Sequence, residues 1–378
     1  MIRTSGRLFS LDCLRGLDML LLTVLTPMVV AADRSWGLPA SVMKHCVHKW
    51  GVLSLHDIIM PCFIFMCGAA IPFALGKRLK DGRPTKEFWK HVAARFVLLY
   101  VLGSIAQCRL LTFDPMEIFV FYNTLQVIGV AYVATALAML IPSRAVQMSL
   151  PVVLFAAMGL IVHFCGGGDY SQTGNFVYRF DRIVWGAILP AGQCTIRPEV
   201  LWCYLLPQLG CIAITMCGYE CALILRSGKK EWTKAGLLFG ISFVLFAAAA
   251  IIEIKVPVIK HIYSISFSLY ATAWSVLALA VLYVVTDIWK FRRGMGIVLL
   301  FGQNALAAYM LRQMFSQAFA TGAKFFTVGV PRLFGEQARH FADGTVAAVL
   351  LTLTLFGWAV YKDWRLMRAQ RVDLVASK

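Results

Sequence analysis

Between Ala235 and Ile252 the chain runs for eighteen residues without one charged side chain. As a helix rising 1.5 Å per residue, such a run crosses roughly the thickness of a bilayer's hydrocarbon core. Comparable apolar runs recur along all 378 residues. With 60% hydrophobic and only 15% charged residues, the composition falls well short of the roughly one-quarter charged content of soluble domains. The pattern predicts an all-α polytopic membrane helix bundle, one integral-membrane domain over residues 1–378. We expect about ten (10–11) transmembrane helices, near 14–32, 55–75, 91–110, 118–141, 147–164, 200–225, 235–253, 263–287, 295–318 and 345–361.

The formal net charge of +17 does not point to nucleic acid, because the basic residues mostly lie between the apolar runs. With the N-terminus inside, segments on the cytoplasmic side carry 21 Lys and Arg and those outside carry 11. The positive-inside rule then places both termini in the cytoplasm, with Lys77-Arg78-Leu-Lys80 and Lys290-Phe-Arg292-Arg293 as the clearest inner anchors. These charges set topology and meet anionic lipid headgroups. Asp12, Arg15 and Asp18 rule the first run out as the apolar core of a signal peptide, so it is expected to be a retained span.

The longest excursions are outside, near 33–54, 165–199 and 319–344, and could enclose a cavity on that face. The triplet Gly166-Gly-Gly follows an apolar span rather than a strand, so it is a turn and not a phosphate cradle. Eleven cysteines show no CxxC pair and no zinc-like spacing, so no metal is expected. Cys165 and Cys194 form a candidate disulfide across the large outer segment.

Two stretches carry ionisable groups into apolar surroundings. Such groups cost about 2.5–3.5 kcal/mol each and persist where they pair or line a polar cavity. In the first, Asp12 and Arg15 stand three apart, close enough to pair on a helix, with Asp18 further along. Two readings stay open for them: an ion pair that locks a helix, or recognition of a polar cofactor from the cytoplasm. In the second, His45, His48 and Trp50 precede Asp57, and Pro61 interrupts the helix one turn deeper. His48 or His45 could act as a general base, and Asp57 could orient it. Headgroup-level placement is the alternative. His56 is expected on a different face from Asp57. Asn123 and Gln126, and likewise Asn304, could bridge helices or bind a ligand.

These residues, in their order, resemble the transmembrane acyltransferases related to heparan-α-glucosaminide N-acetyltransferase, particularly bacterial relatives. The matching pieces are Arg7-Leu-Phe-Ser-Leu-Asp12-Cys-Leu-Arg15-Gly-Leu-Asp18-Met and Asp57-Ile-Ile-Met-Pro-Cys-Phe-Ile-Phe-Met-Cys-Gly68, then Asn123-Thr-Leu-Gln126. Gly174-Asn-Phe with Asp181-Arg182, Pro257-Val-Ile-Lys260 and Gly302-Gln-Asn304-Ala-Leu-Ala-Ala-Tyr309 follow. The resemblance implies transfer of an acetyl or other acyl group from cytoplasmic acetyl-CoA to an amino sugar or glycan across a bacterial inner membrane.

On that basis His48 matches the family's catalytic histidine, with His45 as the alternative and Asp57 beside it. Its spacing departs from the family pattern: His48-Lys-Trp50-Gly51 has one residue between His and Trp and none between Trp and Gly. Asp12, Arg15, Asn123, Gln126 and Asn304 would serve the donor, with one of the two amides, Asn123 or Gln126, as oxyanion donor. Trp50, Asp181, Arg182 and Lys260 would serve the acceptor. A homodimer is implied by the family alone. The competing class is a secondary transporter or flippase for a sugar or lipid-linked glycan, although no internal repeat or matching pair of broken helices supports it.

Overall fold

The computed structural model describes residues 8–80, 82–106, 123–188 and 205–376. They form fifteen α-helices and, apart from one two-residue hairpin (Leu79–Lys80 with Arg83–Pro84), essentially no sheet. The helices are α1 (Phe9–Leu20), α2 (Thr26–Trp36), α3 (Ala40–Met43), α4 (Leu55–Leu75), α5 (Lys86–Ala106), α6 (Thr124–Ala138), α7 (Arg144–Gly166) and α8 (Phe176–Ile188). Then follow α9 (Pro207–Arg226), α10 (Glu231–Glu253), α11 (Ile265–Leu282), α12 (Gly296–Gln303), α13 (Ala305–Thr327), α14 (Val330–Phe334) and α15 (Arg339–Ala376). A π-helical stretch, Leu21–Leu25, joins α1 to α2 just ahead of Pro27, so Phe9–Trp36 forms one rod.

Eight helical segments among the described residues are long and apolar enough to cross a membrane: Phe9–Trp36, Leu55–Arg78, Lys86–Ala106, Arg144–Gly166, Pro207–Arg226, Glu231–Glu253, Ile265–Ile288 and Glu336–Arg365. The chain is an all-α bundle with the helix lengths of an integral membrane protein. Its helices also expose large apolar side chains, Val152, Val153 and Phe164 on α7 and Phe243, Val244 and Ile251 on α10, a surface suited to lipid.

Two of the ten expected runs differ. The run 118–141 begins among residues outside the described set, and its described helix, Thr124–Ala138, is short. The run 295–318 is divided at Asn304 (φ −122°, ψ 28°) into α12 and α13. The longer connecting segments are also more helical than expected. Asn175 opens α8 by accepting from the Tyr178 N–H (2.9 Å), and α13, α14 and α15 leave only short connections across 319–344. Cys194 lies outside the described residues.

The chain packs as two compact units. Among the described residues, one comprises those up to Leu11 and those within His48–Phe291; the other comprises Asp12–Val47 and those from Arg292 onward. Each contains a helix crossing that only glycine permits. In the first, a Cβ on Gly68 of α4 would overlap the Thr215 carbonyl of α9, and one on Gly218 would overlap the Phe65 carbonyl. In the second, Gly16 meets the Val298 carbonyl and Gly302 the Asp12 carbonyl in the same reciprocal way. Small residues facing backbone let membrane helices approach closely where no hydrophobic drive separates helix from lipid.

Candidate functional site

The site grows from the first turn of α4. A helix N-terminus leaves backbone N–H groups without helical partners. Here Ser54-Leu-His-Asp57 forms a capping box. The Asp57 N–H donates to Ser54 Oγ (3.1 Å), and Asp57 Oδ2 accepts from both the Ser54 N–H (2.9 Å) and the Ser54 hydroxyl (2.7 Å). The two carboxylate oxygens therefore have different tasks. Oδ2 closes the helix, while Oδ1 hydrogen-bonds His48 Nδ1. Only 2% of the Asp57 side chain is exposed, against 20% for His48, so the acid is sealed and the imidazole stays accessible. Pro61, one turn deeper, has no N–H to offer the Asp57 carbonyl.

His48 is presented by the turn that follows it. Val52 N–H donates to the Lys49 carbonyl (3.4 Å), and Gly51 takes the positive φ (+74°) that closes the turn. Trp50, carried on this turn, donates Nε1–H to the Tyr170 carbonyl (3.0 Å) and stacks on His261 at 5.2 Å between ring centroids. Tyr170 in turn places its hydroxyl 3.0 Å from His163 Nδ1.

Lys260 arrives from 212 residues further along. Its Nζ lies 3.5 Å from Asp57 Oδ1 and 3.1 and 3.2 Å from His48 Nδ1 and Nε2. Near-equal distances to both ring nitrogens place the ammonium across the imidazole rather than along one lone pair. The loop that carries it is tied down by Ser264, the N-cap of α11. The Ser264 hydroxyl accepts from the Ile259 N–H (3.0 Å) and donates to the Pro257 carbonyl (2.8 Å), while Ile259, Ile262 and Tyr263 are buried. Burial, reinforced by Lys260 and His48, depresses the His261 imidazole to about 4. His261 is thus a neutral aromatic neighbour at physiological pH.

His56, expected on another face from Asp57, packs its ring 4.7 Å from that of His48. Helix periodicity predicts which way His56 leaves α4, but it carries no information on the loop folding back over that turn. His45 is exposed and falls in the other compact unit.

The remaining expected site residues have defined partners. Asn123 and Gln126 form the capping box of α6: Asn123 Oδ1 accepts from the Leu125 N–H (2.9 Å) and Gln126 Oε1 from the Asn123 N–H (3.1 Å). Gln126 Nε2 donates to Ser104 Oγ on α5 (3.0 Å). The Asn-x-x-Gln spacing was itself a capping signal. Asp181 on α8 is buried and accepts from the Leu205 N–H (3.3 and 3.4 Å); burial lifts its carboxyl to about 7 against that bond. Arg182 lies over the Tyr178 ring at 5.7 Å.

In the second unit, Asp12 pairs with Arg15 at 3.4 Å. Asn304 donates to the Leu300 carbonyl (2.9 Å) and accepts from Lys362 Nζ (2.6 Å). Asp18 is buried, and its Oδ2 has no hydrogen-bond partner among the described residues. Among those residues no three His, Cys, Asp or Glu side chains converge to hold a metal ion.

The fold and helix lengths define an integral membrane helix bundle with a polar His–Asp–Lys cluster at one helix N-terminus. A domain of unknown function (DUF5009) matches residues 7–113, a segment that includes Asp12, Arg15, His48 and Asp57 and ends well before Lys260. No curated protein matches the chain.

Proposed function

We infer that this protein is a transmembrane acyltransferase that moves an acetyl or other acyl group from cytoplasmic acetyl-CoA to an amino sugar or glycan on the outer side of a bacterial inner membrane. The observation that carries the reading is an accessible imidazole whose Nδ1 is held by a sealed carboxylate, with an ammonium laid across the ring. The Asp57 bond favours the tautomer with the proton on Nδ1, which puts a lone pair on Nε2. That lone pair can take the proton of an attacking amine. It can instead attack the thioester carbonyl and form an acyl-imidazole.

Either route conserves the same balance. The carbonyl–sulfur bond breaks, a carbonyl–nitrogen bond forms to the acceptor, and the thiolate leaves as a thiol. In direct transfer the acceptor's proton passes through Nε2 to the thiolate. In the two-step route Nε2 bonds the carbonyl carbon as the carbon–sulfur bond breaks, and the acyl-imidazolium gives its Nδ1 proton to the thiolate. The amine then displaces the imidazole from the carbonyl, and its proton returns the imidazole to its starting neutral form. Because Nζ lies within 3.2 Å of Nε2, it is also within reach of the oxyanion that forms on the attacked carbonyl. Gln126 donates its Nε2–H to Ser104 Oγ (3.0 Å), whereas the Lys260 ammonium stands against the imidazole itself, so Lys260 is the better-placed group for that charge. The resemblance of the sequence supports the donor class and a homodimer, and the Lys/Arg asymmetry supports cytoplasmic termini.

Purified protein supplied with radiolabelled acetyl-CoA and a panel of amino sugars tests the reading. Transfer that is lost in His48→Ala and retained in His45→Ala is expected. Absence of both CoA binding and transfer in the unmodified protein overturns it, and sugar movement across vesicles without acylation would favour a transporter.

A further inference from the structure

Gln208 is the second residue of α9, nine-tenths buried (9% exposed), and both polar atoms of its carboxamide are sealed from solvent without a hydrogen-bond partner among the described residues. A buried amide with neither donor nor acceptor satisfied is rare in a native fold, because each group has given up water for nothing. The helix beginning beside it is also uncapped: Leu206 at the N-cap contributes no side-chain hydrogen bond, and Pro207 occupies the first turn.

The direction of this amide follows from the glycine crossing. Gln208, Cys211, Thr215 and Gly218 recur at three- and four-residue steps and share one face of α9. Thr215 and Gly218 on that face meet Gly68 and Phe65 of α4. On α4, Asp57, Pro61, Phe65 and Gly68 share a face by the same rule. The two helices run in the same direction, since Arg226 at the end of α9 donates to the Pro72 carbonyl and sits against Gly76 near the end of α4. Gly218 is thus level with Gly68, and Gln208, ten residues earlier, is level with Ile58, ten residues before Gly68. Side chains lean toward the helix N-terminus, which carries the Gln208 amide to the height of Asp57.

We propose that Gln208 is a specificity-determining residue of the His48 site, whose carboxamide binds a neutral hydroxyl group of the acceptor. The inference rests on the acyltransferase reading for its acceptor. A carboxamide offers one kind of donor and one of acceptor without charge, and a hydroxyl is the smallest group that uses both. Asp57 and His48 supply the charged and basic functions, so the acceptor's amine belongs to them and its hydroxyl to Gln208.

The experiment compares glucosamine with cyclohexylamine, a ring amine of similar size that has no hydroxyl. In the unmodified protein glucosamine is the better acceptor. Gln208→Leu is expected to raise the KM for glucosamine about tenfold or more while kcat stays within about twofold, because a binding contact made equally in ground and transition states is lost. Cyclohexylamine kinetics should not change, and the melting temperature should hold or rise, since an unsatisfied amide has been removed. An unchanged glucosamine preference in Gln208→Leu overturns the proposal and leaves the acyltransferase reading intact.

Equilibrium binding of radiolabelled glucosamine separates the two claims. Binding by the unmodified protein that Gln208→Leu weakens, with no acyl transfer, keeps Gln208 as a hydroxyl contact and removes the enzyme. No glucosamine binding by the unmodified protein overturns the proposal. Gln208→Met provides the same comparison if the leucine variant does not fold.

Discussion

Two acid-bearing stretches near the start of the chain look alike in sequence and fold into different things. In Asp12–Asp18 the polar contact is local: Asp12 and Arg15 pair three residues apart at 3.4 Å, and Arg15 remains partly exposed. In His48–Asp57 the contacts are both local and distant. A capping box fixes the acid, and Lys260 reaches it from another segment. Charge in an apolar run signals only that something must compensate it. The range of the compensation decides whether the result is a brace or a site, and range is a tertiary property.

The largest expected effect tests that distinction directly. His48→Ala should lower acyl transfer by about 10³-fold, within the range general-base removal usually costs. Asp57→Asn should do nearly as much, because the amide can present its NH₂ to the ring and favour the wrong tautomer. Asp12→Asn should change kcat far less. Equal losses at Asp12 and Asp57, measured as kcat with labelled donor, would erase the contrast.

Next comes stability, where two buried acids should respond in opposite senses. Asp57→Leu leaves the first turn of α4 uncapped and the Lys260 ammonium without its carboxylate, a loss of about 3–5 kcal/mol. Asp18→Leu replaces a carboxyl whose Oδ2 has no partner, so the melting temperature should hold or rise. A matched fall at both positions would show that Asp18 also serves as an anchor.

Much of this was legible beforehand, for identifiable reasons. Apolar run length fixed the bundle, since bilayer thickness acts on sequence directly. His48 and Asp57 lie within ten residues of each other, so local pattern and family resemblance both reached them. The Ser54–Asp57 and Asn123–Gln126 capping boxes carry the three-residue spacing that capping requires, but polar side chains at that spacing are equally compatible with bridging helices or binding a ligand, so sequence alone does not select the cap. The resemblance implies Lys260 as an acceptor contact, but its place across the imidazole depends on how the Pro257–Ser264 loop folds. Gln208 carries no motif at all. Its interest arises only from burial without partners and from a glycine crossing that sets two helices in register.

A smaller effect distinguishes the surroundings of the second stretch by pH. His261, depressed by burial to about 4 from its ordinary 6.5, contributes stability that is present above pH 6.5 and is lost as pH falls toward 4. Asp181, raised from 3.8 to about 7, has the opposite sign: its contribution is fully present below pH 3.8 and fades as pH rises through 7. Apparent melting temperature against pH should therefore lose the part of its decline that falls between about pH 6.5 and 4 in His261→Phe. In Asp181→Asn, which keeps an oxygen for the Leu205 N–H, the melting temperature should rise at pH 8 and stay unchanged at pH 4. A variant that shifts the whole curve uniformly would mean that packing, rather than ionisation, governs the position.

The smallest effect belongs to the local pair. A three-residue helix ion pair with one partner partly exposed is worth under about 1 kcal/mol, so Arg15→Ala should barely move the melting temperature. If Arg15 also draws in the phosphates of the donor, the same substitution should raise the KM for acetyl-CoA about threefold at low salt. That difference should shrink as added salt screens the charge. Lys substitution at the same position should restore most of it, because attraction to phosphate needs the charge more than the guanidinium shape. If the KM of Arg15→Ala equals that of the unmodified protein at every ionic strength, Arg15 only braces Asp12 and the first stretch carries no donor contact there.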